Sequence, residues 1–222
     1  MTPTTKFKAA LCGLALIAAA ALPLAAAPAP SQTVSAEAAA AIKPVPKLGF
    51  STQTVRTLNI DFQYQQTGYW CGPAATRIAL SARISPPSQQ QLADELPTTT
   101  NGTDWIGQVT RVLNNHLGTG WYETKEMPND PPTQAQRDLL WRDVVLDINN
   151  NYPIVANIVA PASNHPPGYP NYTIYHYFTV IGYDDSDQTV LIADPAGFAP
   201  TATYWLTFNQ LATLIPPKGY SA

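Results

Sequence analysis

The chain holds two cysteines, and only one stands where its chemistry could matter. Cys12 lies in an apolar run close to the N-terminus, whereas Cys71 sits in the segment YQQTGYWCGPAA. A thiol reacts as its thiolate, and the free N–H groups and positive dipole end of a helix N-terminus favour that form. Pro73 and the helix-favouring pair Ala74-Ala75 place Cys71 at such a start, because proline's missing N–H costs nothing in a helix's first turn. Gly72 presents no Cβ, which leaves space for a ligand backbone to come close.

A nucleophilic thiolate needs a base within hydrogen-bond reach. Three histidines are available. His116 falls at a helix end, in line with Trp105, Val109 and Val112, and reads as a packing or helix-end residue. His165 lies between Asn164 and Pro166 in a loop and reads as exposed. His176 opens a strand rich in aromatic and β-branched residues. If Tyr183 pairs with Asp187 across a three-residue loop, His176 falls directly opposite Asp194, at the cross-strand Cβ separation of roughly 4.5–5.5 Å. An Asp–His hydrogen bond then fixes the tautomer and supports the imidazolium. Gln65 and Gln66 both lie upstream of Cys71, and either amide could donate to an oxyanion beside the sulfur.

These residues need a scaffold, and the patterning supplies one. An extended segment is expected over 54–60 and a helix from 73 to about 83. Residues 88–96 read as a short polar helix. A turn and N-cap at 101–104 lead into a helix ending near 115, with Trp105, Val109, Val112 and Leu113 on its apolar stripe. A further helix is expected over 134–149, with Leu140, Val144 and Ile148 on one face. Strands follow at 153–160, 175–183 and 189–193, the last two forming a hairpin. A short strand at 203–206 and a helix at 208–214 complete the series. Helices first and a mostly antiparallel sheet second is an α+β order.

Lys6 and Lys8 followed by an apolar run over 9–22, with small residues at 25–27, have the parts of a secretory signal. The run is shorter than the roughly 20 apolar residues of a membrane span. Residues 1–27 are therefore expected to be a signal peptide, with cleavage possible as late as residue 38. Residues 28–53, rich in Ala and Pro, read as a flexible linker, and 54–222 as one domain. Secretion or an envelope location is the expectation, without stable membrane insertion. Export removes Cys12 and leaves Cys71 as the lone thiol, either buried and inert or reactive. Only 12% of residues are charged and the net charge is −3, with no basic cluster, which excludes a nucleic-acid partner. One cysteine and scattered histidines do not make a zinc set, and no cofactor is expected.

YQQTGYWCGPAA, HYFTVIGYDD and VLIADPAG together resemble the papain-like peptidases of cysteine-peptidase family 39, the double-glycine leader peptidases and their stand-alone relatives. The resemblance spans roughly residues 54–215. It implies a papain-like fold, with a nucleophile helix packed on an antiparallel sheet. It also implies Cys71 as nucleophile, His176 as base, Asp194 as its orienting carboxylate and Gln65, rather than Gln66, at the oxyanion. A peptide or protein substrate follows. The chain shows no fused transporter or nucleotide-binding motif, so double-glycine leaders are not the expected substrate. An envelope amidase or peptidoglycan endopeptidase, and a non-catalytic binding module, are the alternatives on the same fold.

Overall fold

The computed structural model describes residues 55–222; the signal and the linker expected from the sequence lie outside them. The elements run β1 (Val55–Thr57), α1 (Cys71–Ser81), α2 (Gln89–Glu95), α3 (Ile106–Leu117), β2 (Thr124–Glu126) and α4 (Gln134–Asn149). They continue with β3 (Ile154–Ala160), β4 (Ile174–Asp184), β5 (Thr189–Ala193), β6 (Thr203–Thr207), α5 (Phe208–Leu214) and β7 (Gly219–Ser221). The antiparallel sheet has the order β2-β7-β3-β4-β5-β6, with β1 added against the far end of β4.

The alternation of strand side chains divides the core in two. Val155 and Tyr177 pack with Ala75, Leu80, Leu92 and Val109 of α1, α2 and α3. Ala156, Phe178, Val180 and Ile192 pack instead with Leu140, Val144 and Leu211 of α4 and α5. The sheet thus lies between two helical layers. Local chemistry sets several element ends. Ser88, Thr133 and Thr207 each accept a hydrogen bond from the backbone N–H three residues on, at the starts of α2, α4 and α5. Gly118, at φ +61°, closes α3 in the left-handed conformation.

Four expectations are corrected. Helix α3 starts at Ile106 with Trp105 as N-cap, and Gln108 Oε1 accepts the Trp105 N–H at 3.1 Å. Trp105 is 53% exposed and leaves the apolar stripe, because its indole N–H reaches out to Glu126. His165 is half-buried, its Nδ1 lying 3.2 Å from the Pro166 carbonyl. In the β4–β5 hairpin Tyr183 pairs with Val190, not Asp187. His116 ends its helix as expected, and its Nε2 meets Glu95 at 2.6 Å.

Candidate active site

Cys71 is the first residue of α1, whose first turn has no acidic side chain and no side-chain cap. Among the described residues the Cys71 N–H has no hydrogen-bond acceptor. The His176 imidazole and the backbone N–H groups of Gly72 and Tyr177 stand near the sulfur and favour its thiolate. The Tyr177 N–H is available because β5 ends its pairing with β4 at Thr179 and leaves that edge open below it. Gly72 has a different part from the one its sequence position suggests. A Cβ there would lie 2.3 Å from Thr103 Oγ1, so Thr103 fills the space.

His176 and Asp194 reach each other by another route than direct opposition. From Tyr183 opposite Val190, a regular ladder would put Thr179 opposite Asp194 and His176 on the other face of the sheet. A bulge between Val180 and Gly182 absorbs one residue, so Val180 pairs with Ile192 and Thr179 with Ala193. Continued one step, that register sets Phe178 beside Asp194 and His176 one diagonal away, on the same face. Diagonal neighbours on one face remain within reach of long side chains, and His176 Nε2 lies 2.8 Å from Asp194 Oδ1. Nδ1 is left for the thiol. Gly182 suits the bulge because a Cβ there would meet the Arg56 carbonyl of β1 at 2.7 Å.

Asp194 is held on every side. Its Oδ1 also accepts the Ala196 N–H at 2.9 Å, and its Oδ2 accepts the hydroxyls of Tyr169 at 2.8 Å and Tyr204 at 2.5 Å. Sequence reasoning missed both tyrosines. Tyr204 was within reach of it, since its parity with Leu206 on β6 turns it inward, whereas Tyr169 lies in a loop that no periodicity describes.

Gln65 and Gln66 are held by a residue that sequence reasoning also missed. Gln89, fully buried at the start of α2, accepts the Gln66 N–H at 3.0 Å and donates to the Tyr64 carbonyl at 2.8 Å. The Gln65 N–H donates to the Pro195 carbonyl at 3.0 Å, which ties this loop to the residue after Asp194. Gln65 Nε2 spends one hydrogen on the Thr67 carbonyl at 3.0 Å; its second is uncommitted. Gln65 lines the same cavity as Cys71 and His176.

The electrostatics favour an ion pair. Burial pushes the Cys71 thiol up, but the hydrogen bond and charge of His176, with the two backbone N–H groups, outweigh it and leave the thiol below its ordinary value. Burial likewise pushes His176 down, and the Asp194 carboxylate overcomes that and raises it to about 10. Asp194 is opposed by its own burial yet held down at about 2, chiefly by His176 and then by Tyr204. The site places a polarised thiol, a buried imidazole and a fixed carboxylate in one line, the arrangement of nucleophilic acyl transfer.

A helix-borne thiol, a strand-borne imidazole and an antiparallel sheet between helical layers define a papain-like cysteine peptidase. The chain belongs to the Peptidase_C39 like family, whose sequence profile matches residues 57–213, from the end of β1 into α5. No curated protein matches it. Among solved structures, the peptidase domain of Streptococcus ComA, a bi-functional ABC transporter involved in a quorum sensing pathway, is similar at 17% identity. That match covers 74% of this chain and 98% of the other, with a TM-score of 0.48. A C39-like peptidase from Bacillus anthracis is similar at 14% identity over 75% and 96% of the two chains, with a TM-score of 0.49. Xylellain, a cysteine protease from Xylella fastidiosa, is similar at 15% identity over 76% and 85%, with a TM-score of 0.47.

Proposed function

We propose that this peptidase hydrolyses peptide bonds by acyl transfer through Cys71, His176 and Asp194, and that it does so after export. The observation that carries the reading is a buried imidazole held by Asp194 at Nε2, with Cys71 beside it on the same cavity. The thiolate attacks the carbonyl carbon, and the oxyanion takes hydrogen bonds from the Gln65 amide and the Cys71 N–H. Collapse breaks the C–N bond, and His176 gives its proton to the departing amine. Water then attacks the thioester, His176 accepts its proton, and the acid leaves as the thiolate is restored. Asp194 orients the ring and supports its charge throughout.

Export rests on the charged and apolar pattern of residues 1–27. No helix among the described residues is long and apolar enough to cross a membrane. The test compares hydrolysis of an unfolded protein by the wild type and by Cys71→Ala, together with the N-terminal sequence of protein recovered from the medium. Cys71-dependent peptides and an N-terminus beyond residue 27 are expected. Hydrolysis that survives Cys71→Ala would remove the nucleophile, and an intact Met1 in the recovered protein would remove the export.

A further inference from the structure

Two cavities adjoin Cys71 and His176. One, of about 170 Å3, is walled by polar groups including Asn101, Thr103, Asp104, Asn157 and Lys218. The other, of about 320 Å3, has Gln65 and Thr173 in its wall and carries three aromatic rings, those of Tyr172, Tyr175 and Phe198. Tyr175 borders both. Tyr172, Tyr175 and Phe198 are 61%, 69% and 41% exposed, and they are three of nine large apolar side chains so exposed among the described residues. Exposed apolar side chains scattered singly need no explanation, but three of them walling one concavity mark a place where a ligand buries them.

The apolar wall is fixed in place before any ligand arrives. The Phe198 ring meets Tyr169 edge to face at 5.0 Å, and Tyr169 is the residue that donates to Asp194. Gly168, at φ +77°, lies so close beneath this loop that a Cβ would stand 2.2 Å from the Phe198 carbonyl oxygen. One network thus holds both the cavity wall and the carboxylate behind His176. A preformed wall spends little ordering entropy when it is covered.

We infer that the cavity ringed by Tyr172, Tyr175 and Phe198 is a specificity subsite, taking a large aromatic or aliphatic side chain on one residue of the scissile bond. This rests on Cys71 being the nucleophile. A glycine at that position would leave Tyr172 and Phe198 wet and gain nothing from them, so a pair of glycines is a poor substrate for this cleft. The other cavity has a single exposed aromatic ring, that of Tyr175, with Lys218 Nζ 5.8 Å from its centroid.

The test is digestion of a diverse peptide mixture by the full chain, with cleavage sites read by mass spectrometry and Cys71→Ala as the blank. Phe, Tyr, Leu and Met should be enriched over Gly by about tenfold or more at one of the two residues of the cleaved bond and not at the other. Tyr172→Ala, at an exposed position, should lower kcat/KM about tenfold for the best substrate and leave its glycine counterpart unchanged. Cys71-dependent cleavage without that enrichment, or a variant that slows both substrates equally, would overturn the subsite and leave the nucleophile standing. Absence of any Cys71-dependent cleavage would overturn the nucleophile, and the subsite with it.

Discussion

His176 Nε2 and Asp194 Oδ1 lie 2.8 Å apart although the two residues are not cross-strand partners. The bulge between Val180 and Gly182 makes this possible, because it brings Val180 and Tyr183 to one face of the sheet although they are three residues apart. Asp194 and His176 share that face, and Cys71 reaches the imidazole from the helix that packs on the other.

Asp194→Asn keeps the shape of this side chain and removes its charge. With the charge gone, only Cys71 is left to offset the burial that disfavours an imidazolium at His176. We expect kcat to fall about 10²–10⁴-fold, by analogy with carboxylate loss from other triads, with far-ultraviolet circular dichroism unchanged. Full activity in the folded variant would remove Asp194 from the mechanism.

Gln89 acts at one remove, by holding the loop that carries Gln65. Gln89→Met keeps the buried volume and loses the hydrogen bonds to Gln66, Tyr64 and Gln63. The expected result is a fall in kcat about as large as that of Gln65→Ala, with KM changed less than twofold. If Gln65 serves at the oxyanion, the two changes should not add in the double variant, since both remove the same donor. Additive losses would separate Gln89 from Gln65.

Much of this fold was legible because its elements carry their own punctuation. Helix α4 was expected over the residues it occupies, since Thr133 caps it and Leu140, Val144 and Ile148 repeat on one face. Helix α5 was equally plain. Strands β2 and β7 were not, because three residues each are too few for any period to show, and β7 is strand only by lying between β2 and β3. Only the family resemblance separated Gln65 from Gln66, whereas Cys71, His176 and Asp194 were nameable from their types and spacing. Their geometry was not, since the hairpin register depends on a bulge that Gly182 hints at only once β1 is known to pack there. Tyr169 and Gln89 carry no local signal of their partners, which lie 25 residues away or nearly so.

Gly72 is required for packing. In Gly72→Ala the new methyl would meet Thr103, whose hydroxyl is hydrogen-bonded to Thr98. Overpacking of this kind costs about 1–3 kcal/mol, which should lower the urea midpoint of the variant. Gly72→Ala with Thr103→Ala, which removes the hydroxyl that stands nearest the new methyl, should recover part of the loss. An unchanged midpoint for Gly72→Ala would mean that Thr103 moves aside freely.

Asp147, away from the site, is a liability to stability at neutral pH. Burial, with the charge of Asp143 against it, raises its carboxyl to about 6, although Trp121 Nε1 donates to Oδ1 at 2.9 Å. Its Oδ2 is buried without a hydrogen-bond partner. The folded state therefore keeps this proton up to about pH 6 whereas the unfolded chain releases it near 3.8, and stability falls as pH rises through that window. Asp147→Asn should stabilise the protein above about pH 6 and change it little below about pH 4. Equal effects at pH 4 and pH 7.5 in urea unfolding would refute this sign.

The central claim, that His176 holds Cys71 as a thiolate, is tested most directly by the pH dependence of Cys71 alkylation with iodoacetamide in the wild type and in His176→Ala. The wild-type midpoint should fall below the ordinary thiol value of about 8.5. In the variant only burial and the backbone N–H groups remain, so the midpoint should rise to that value or above it. A wild-type midpoint at or above that of His176→Ala would contradict the account.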